Sequence, residues 1–360
     1  MKILTVFPWL SKFGRYIPQM QAIRERVDEF HIAYCSGEVN SEWKRNFVFH
    51  RFMRLPDHIH DKPYSQALRW LRYFYTIYLL GKAKHGLKRL SQFNVDLYYV
   101  LSGYFATELT LRLARKMEKP CVLRLRGNYD SEIKSTNPPL ERVLDLHRAH
   151  SYLQQADLII PISTELKNWA LSKHLAPSKV TDPITLGVDT QFFKPQQRER
   201  NAELIVGYCG RLTKEKGVDR LRKVVSALPD KKFLIVGRKQ TGFRLAENAE
   251  YIGWLPFRKM PLFYSMIDLL ILPSYSEGFP NVLLEAYASG KPVVATPEAM
   301  PRELKVFGRV GDINEFPSLI NELARLDLQR IGEDAREYVA ENFSWNHFGE
   351  AMVEQLSVVL

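Results

Sequence analysis

Short apolar runs and amphipathic stretches alternate along the chain. Ile3–Phe7, Leu97–Leu101, Cys121–Leu125 and Leu158–Ile162 are apolar at nearly every position. That is the pattern of strands buried on both faces of a parallel sheet. Between them apolar residues recur at helical spacing, as over Ala106–Lys116. A break follows at Pro183–Asp189, then Phe192-Phe193-Lys194-Pro195 and the polar stretch Gln196–Glu203. The alternation then restarts, with strands predicted at Leu204–Cys209, Lys232–Val236, Glu250–Ile252, Asp268–Leu272 and Pro292–Ala295. Helices are predicted between them, then over Ile331–Glu341 and Trp345–Val359. Strands alternating with helices predict an α/β fold of parallel sheets and crossover helices. The break divides the chain into 1–188 and 189–340, with 341–360 a C-terminal helix expected to pack back on the first domain.

Charge changes this picture in one respect. Residues 1–120 hold 20 Lys and Arg against 10 Asp and Glu, whereas the remainder is nearly balanced, with 31 against 30. The basic field of the first third favours anionic partners. Cys35, Cys121 and Cys209 are scattered and odd in number, so neither a disulfide framework nor a metal-ligand pattern is expected, and a reducing cytoplasm fits. The first apolar run is broken by Pro8 and followed by Ser11-Lys12-Phe13-Gly14-Arg15, which predicts a buried strand rather than a secretory signal. No apolar run approaches the roughly 18–20 residues that span a bilayer.

Two segments carry candidate chemistry. The first is Pro273-Ser274-Tyr275-Ser276-Glu277-Gly278-Phe279-Pro280-Asn281-Val282-Leu283-Leu284-Glu285. A buried strand ends near Leu272, a Ser/Gly loop follows, and Pro280 is placed where a helix can begin. Free amides at such a helix start attract anions. Glu277 precedes the helix and Glu285 follows eight residues later on roughly the same side, so both can accept from hydroxyls beside a diphosphate. Alone, Glu277 reads equally as a helix cap and Glu285 as an exposed helix residue. The second segment, Gly210-Arg211-Leu212-Thr213-Lys214-Glu215-Lys216-Gly217, again joins a strand end to a helix, Val218–Leu228. Arg211 and Lys216 are therefore cations at the carboxyl edge of a parallel sheet, where open α/β folds bind ligands. Arginine suits bidentate phosphate contact and lysine acts as a point charge. Without a partner motif this reads as a solvated basic loop.

Together, in this order, the two segments resemble the retaining glycosyltransferases of family 4, which have the GT-B fold. Glu277 to Glu285 match that family's E-x7-E motif, and Gly210 to Gly217 its G-R-L-x-x-x-K-G motif. Leu186-Gly187-Val188-Asp189 with Phe193-Lys194-Pro195, Gly290–Thr296 and Phe343-Ser344-Trp345 are also similar to the family. The resemblance implies two Rossmann-like, doubly wound domains facing each other across a deep cleft, the first binding acceptor and the second the nucleotide-sugar donor. It implies catalytic roles for Arg211, Lys216 and Glu277, the two cations holding the donor diphosphate and Glu277 contacting the sugar. Glu285 would bind the ribose, and Gly278, Phe279, Asn281 and Val282 would meet sugar and phosphate through their amides. Gly210, and Gly237 beside the base, complete the expected donor set. The implied activity is sugar transfer from a UDP- or GDP-sugar to a hydroxyl of a glycan or lipid-linked acceptor, without metal or other cofactor. The alternative is a non-catalytic, membrane-associated sugar-nucleotide binder of the same fold.

The chain departs from the family in two places. The loop after the first strand has one glycine, Gly14, where adjacent glycines are usual, and Gly14 is still expected to approach the donor. Where many relatives have a histidine, this chain has Arg124-Leu125-Arg126-Gly127-Asn128-Tyr129-Asp130. Arg126 is the candidate for phosphate and Asp130 for an acceptor hydroxyl, against a structural salt bridge. Residues 62–95 hold seven Lys and Arg, no Asp or Glu, and many aromatics, a composition that suits either an anionic membrane surface on the inner face or a buried helix. No nucleic-acid module is present, and Asp57-His58-Ile59-His60-Asp61, His147 and His150 lack the spacing of a closed metal site.

Overall fold

The computed structural model describes residues 1–7, 16–35, 37–51, 90–101, 104–130, 133, 139–196, 203–238 and 246–360. Most of 62–95, all of 57–61 and Gly14 lie outside these residues. The chain divides into two compact units, Met1–Ile184 with Phe348–Leu360, and Thr185–His347.

The first unit is built on six parallel strands: β1 (Lys2–Val6), β2 (Glu29–Tyr34), β3 (Val48–Arg51), β4 (Leu97–Val100), β5 (Cys121–Leu125) and β6 (Leu158–Pro161). Their spatial order is β3-β2-β1-β4-β5-β6. The strands β4 and β5 are buried at every position, which is why they read as apolar runs, interrupted only by Arg124 in β5. The last helix, Trp345–Ser357, ends the chain, and its Gly349 lies against the Ala22 carbonyl within this unit.

The second unit repeats the plan with β7 (Ile205–Cys209), β8 (Lys232–Val236), β9 (Ala249–Gly253), β10 (Leu269–Leu272), β11 (Val293–Ala295) and β12 (Gly308–Val310). The order β12-β11-β10-β7-β8-β9 is the same doubly wound arrangement. Both sheets are parallel throughout, as the alternation predicts. Helix Val218–Ala227 lays Leu221, Val224 and Val225 on Phe233 and Ile271, and Phe316 and Ile320 join this core. In each unit two neighbouring strands run to crossovers of opposite direction: β1 beside β4, and β7 beside β10. Ligands of such sheets bind at the carboxyl ends of those strands. Among the described residues no helix is long and apolar enough to cross a membrane, and no group of three or more His, Cys, Asp or Glu can hold a metal ion.

Candidate donor site at the switch point of the second unit

The two sequence segments converge where β7 and β10 end side by side. Leu269 pairs with Val206 and Leu270 with Gly207, so Gly210–Gly217 leaves one strand beside Pro273–Pro280 leaving the other. Gly217 joins the two loops: with φ of +71° it adopts a conformation costly for other residues. A Cβ there would run into the Pro273 carbonyl oxygen. The Tyr275 amide donates to the Glu215 carbonyl at 2.9 Å, tying the loops a second time. From beneath, the Tyr208 hydroxyl reaches the carbonyls of Arg211 at 3.1 Å and Lys216 at 3.3 Å. Arg220 stacks over the Tyr275 ring at 3.6 Å and donates to the Ser274 carbonyl at 3.1 Å.

This framework brings Lys216 Nζ to 2.5 Å from Glu277 Oε2, both side chains largely buried. The other carboxylate oxygen of Glu277 accepts from Ser274 Oγ at 2.8 Å. Glu277 is therefore a fixed anion clamping a fixed cation rather than a helix cap. Arg211 is exposed and pairs with Glu215 at 3.2 Å; the structure brings it to the same loop as Lys216, with its guanidinium in solvent.

Helix Asn281–Ala288 begins directly after, with Pro280 at the N-cap instead of the first helical position. No side chain caps this end. The amides of Asn281 and Val282 donate to no protein group among the described residues, as the first turn of a helix dictates. Phe279 is buried and stacks near Phe343. One helical turn further in, Glu285 faces the unit's interior, not solvent: its Oε2 accepts from the Tyr264 hydroxyl at 2.9 Å. Burial pushes its carboxyl up to about 7, against the lowering effect of that bond. The residue as a whole is half-buried.

The floor beside β7 is closed by backbone. Gly237 has φ of +152° and its Cβ would strike the Gly210 carbonyl, so a glycine is required at 237 for the approach. The Gly237 amide donates to Gly253 at 2.9 Å, and the Tyr251 hydroxyl to the Gly237 carbonyl at 2.7 Å. Arg238 lies over the Trp254 ring at 5.2 Å. The four candidates Gly210, Gly237, Lys216 and Glu277 thus share one sheet edge.

In the first unit, Arg126 follows the end of β5 with its guanidinium over the Tyr16 ring at 4.7 Å. Asp130 forms the structural salt bridge that stood as the alternative to an acceptor contact. It accepts from His150 Nε2 at 2.8 Å, Trp169 Nε1 at 3.2 Å and Lys173 Nζ. Burial acts to raise its carboxyl, but those three bonds outweigh it and hold the group below the ordinary 3.8. Sequence reasoning missed Tyr264, Ser274, Tyr208 and Arg220. Ser274 adjoins a recognised motif, whereas Tyr264 lies 21 residues before Glu285 with no spacing that links them.

Residues 189–324 match the sequence profile described as glycosyl transferases group 1. The chain is 28% identical over 249 residues to a D-inositol 3-phosphate glycosyltransferase of Mycolicibacterium smegmatis, covering 61% of this chain and 56% of that protein. It is 25% identical over 363 residues to an uncharacterized glycosyltransferase of Methanocaldococcus jannaschii, covering 96% and 95%. The chain spans little more than half the length of the first group of curated relatives. In fold it is similar to a sucrose-phosphate synthase from Thermosynechococcus elongatus, with TM-score 0.75, 18% identity and coverage of 99% and 98%. Anabaena HepE in complex with UDP and glucose is as similar, with TM-score 0.75, 18% identity and 99% coverage of both chains. With its two doubly wound parallel sheets and its likeness to these solved structures, this chain has the GT-B fold.

Proposed function

We propose that the protein is a retaining glycosyltransferase. It moves a sugar from a UDP- or GDP-sugar to a hydroxyl of a glycan or lipid-linked acceptor. The observation that carries this reading is the Lys216–Glu277 pair at the β7/β10 switch point, with the buried Glu285 on the adjoining helix. Lone surface residues do not form such an arrangement. A structural pair alone would not require a second, buried carboxyl one turn into the adjoining helix.

The chemistry follows from charge. As the bond between the sugar C1 and the diphosphate oxygen breaks, positive charge develops on the sugar ring and negative charge on the leaving diphosphate. Lys216 and Arg211, with the amides of Asn281 and Val282, supply preorganised positive groups for that charge. Glu277 holds Lys216 in place and presents its carboxylate to the sugar. Glu285 accepts from ribose hydroxyls, and Gly210, Gly237, Gly278 and Phe279 let backbone approach the donor. The acceptor oxygen bonds to C1 on the face the diphosphate leaves, and its proton passes to a phosphate oxygen. The clamped Lys216, with Arg211 on the same loop, takes the part a divalent ion would otherwise fill, so no metal is required. Nucleotide-sugar donors fit action in the cytoplasm, at the inner membrane face where the acceptor is lipid-linked.

The test is a thermal-shift panel of UDP, GDP, ADP and their common sugars with EDTA present. A ligand at 100 times its Kd stabilises by about 2.7 kcal/mol, so one nucleotide is expected to stand out. A flat panel overturns the donor assignment. Product NMR then reads the anomeric configuration, and inversion would refute the retaining course.

A further inference from the structure

The first unit carries unsatisfied polar groups at its own switch point. Thr5 Oγ1, Tyr99 Oη, Arg124 Nε and Arg126 Nη1 are buried without a hydrogen-bond partner. Register explains why they gather. Leu4 pairs with Tyr98, which sets Thr5 beside Tyr99, and Tyr99 pairs with Val122. Side chains at every second position share a face, so Val122 and Arg124 continue the face that carries Thr5 and Tyr99, and Arg126 follows directly after the end of β5. These strands are β1, β4 and β5, and the polar atoms lie toward their carboxyl ends.

The charges are equally unmatched. Arg124 is 2% exposed and donates to the carbonyls of Pro161, at 3.2 Å, and Ile184, with Phe348 under its plane. Those are neutral partners. Arg126 has the Tyr16 ring. Neither guanidinium meets a carboxylate among the described residues. Asp130, the nearest acid along the chain, is matched by Lys173 and His150. Burial, with a smaller contribution from the Arg126 charge and against a raising effect of Tyr99, lowers Arg124 to about 10, so Arg124 stays cationic at neutral pH and its neighbour Arg126 repels it. Buried charges are normally paired. An unpaired cationic face with free hydroxyls is complementary to an anion.

We propose that this face binds the phosphate group of a phosphorylated acceptor. Arg126 is the principal partner, Tyr99 and Thr5 donate their hydroxyls, and Arg124 supplies fixed charge. A phosphate offers three oxygens and up to two charges, matching two guanidinium groups and two hydroxyls; guanidinium forks suit that geometry. Calling the ligand an acceptor rests on the transferase reading, but the binding measurement does not.

The experiment is calorimetric titration of the full chain, at fixed ionic strength, with glucose 6-phosphate, inorganic phosphate and glucose. Wild type is expected to bind the sugar phosphate more tightly than inorganic phosphate and not to bind glucose. Arg126→Met is expected to weaken sugar-phosphate binding about tenfold or more, since charged hydrogen bonds are lost. Tyr99→Phe is expected to weaken it severalfold while leaving the Tm of the free protein unchanged or higher, because the hydroxyl it removes has no partner. A merely structural tyrosine would not separate those two readouts. Lys216→Met, in the donor unit, is expected to leave the titration unchanged. Retained binding in Arg126→Met, or loss in Lys216→Met instead, overturns the site. Equal affinity for inorganic phosphate overturns the acceptor assignment. A flat nucleotide panel with intact sugar-phosphate binding would instead remove the transferase reading and leave the anion site standing.

Discussion

Glu285→Gln separates the energetic cost of the candidate donor site from its use. The Glu285 carboxyl is held at about 7 against the ordinary 4.5, chiefly by burial. Between those two pH values the folded chain keeps a proton that the unfolded chain has released. Stability therefore falls as pH rises through this window, and is fully present only below 4.5. At about 1.4 kcal/mol per pH unit, the loss above pH 7 is about 3 kcal/mol. The amide of glutamine has the same shape, keeps an oxygen to accept from the Tyr264 hydroxyl, and carries no ionisation cost. Relative to wild type, Glu285→Gln is expected to be near neutral at pH 4.5 and more stable by up to about 3 kcal/mol at pH 8. Urea denaturation of both proteins at the two pH values measures this, and taking variant minus wild type cancels the other titrating groups. The same variant is expected to lose about 10- to 100-fold in nucleotide affinity, since hydroxyls no longer meet a charged acceptor. In wild type that affinity is expected to rise with pH up to about 7. A stability difference independent of pH would refute the burial argument. Unchanged nucleotide affinity would refute the ribose contact.

Lys216→Met is expected to lower kcat by about 10²–10³-fold, as for other preorganised electrostatic groups; a normal turnover number removes Lys216 from the mechanism. Gly217→Ala is expected to lower Tm more than Gly290→Ala. Both glycines have φ of +71°, but only at Gly217 does a Cβ meet backbone, the Pro273 carbonyl, whereas at Gly290 its nearest neighbour is Pro195 Cγ at 3.2 Å; equal losses in thermal denaturation would discount the loop junction. Asp130→Asn is expected to cost about 1–3 kcal/mol at pH 7 by breaking the Lys173 and His150 pairs, and the difference from wild type should shrink as pH falls below 3.8; a difference constant with pH in urea titrations would refute the ion-pair account.

The sequence by itself determined the architecture wherever burial was symmetrical. β5 and β8 fall on the residues that the apolar runs predict, because a strand covered on both faces is apolar at most positions, Arg124 and Lys232 being the polar exceptions. β2, β3 and β12 escaped that reading. β2, Glu29–Tyr34, contains Glu29 and His31, while β3 and β12 lie at sheet edges and are three or four residues long, so no unbroken apolar run marks them. The loop residues Arg211, Lys216, Glu277 and Glu285 were legible through their spacing, since a strand-to-loop-to-helix junction fixes where charge can meet a ligand. Only tertiary structure decided what each does. It paired Lys216 with Glu277 across 61 positions, left Arg211 in solvent and dried Glu285 against Tyr264. It also spent Asp130 on Lys173 and His150 while leaving Arg126 unmatched. Periodicity reports which face of an element is buried; the partner waiting there is set by strand order and register, which residues far apart in sequence determine together.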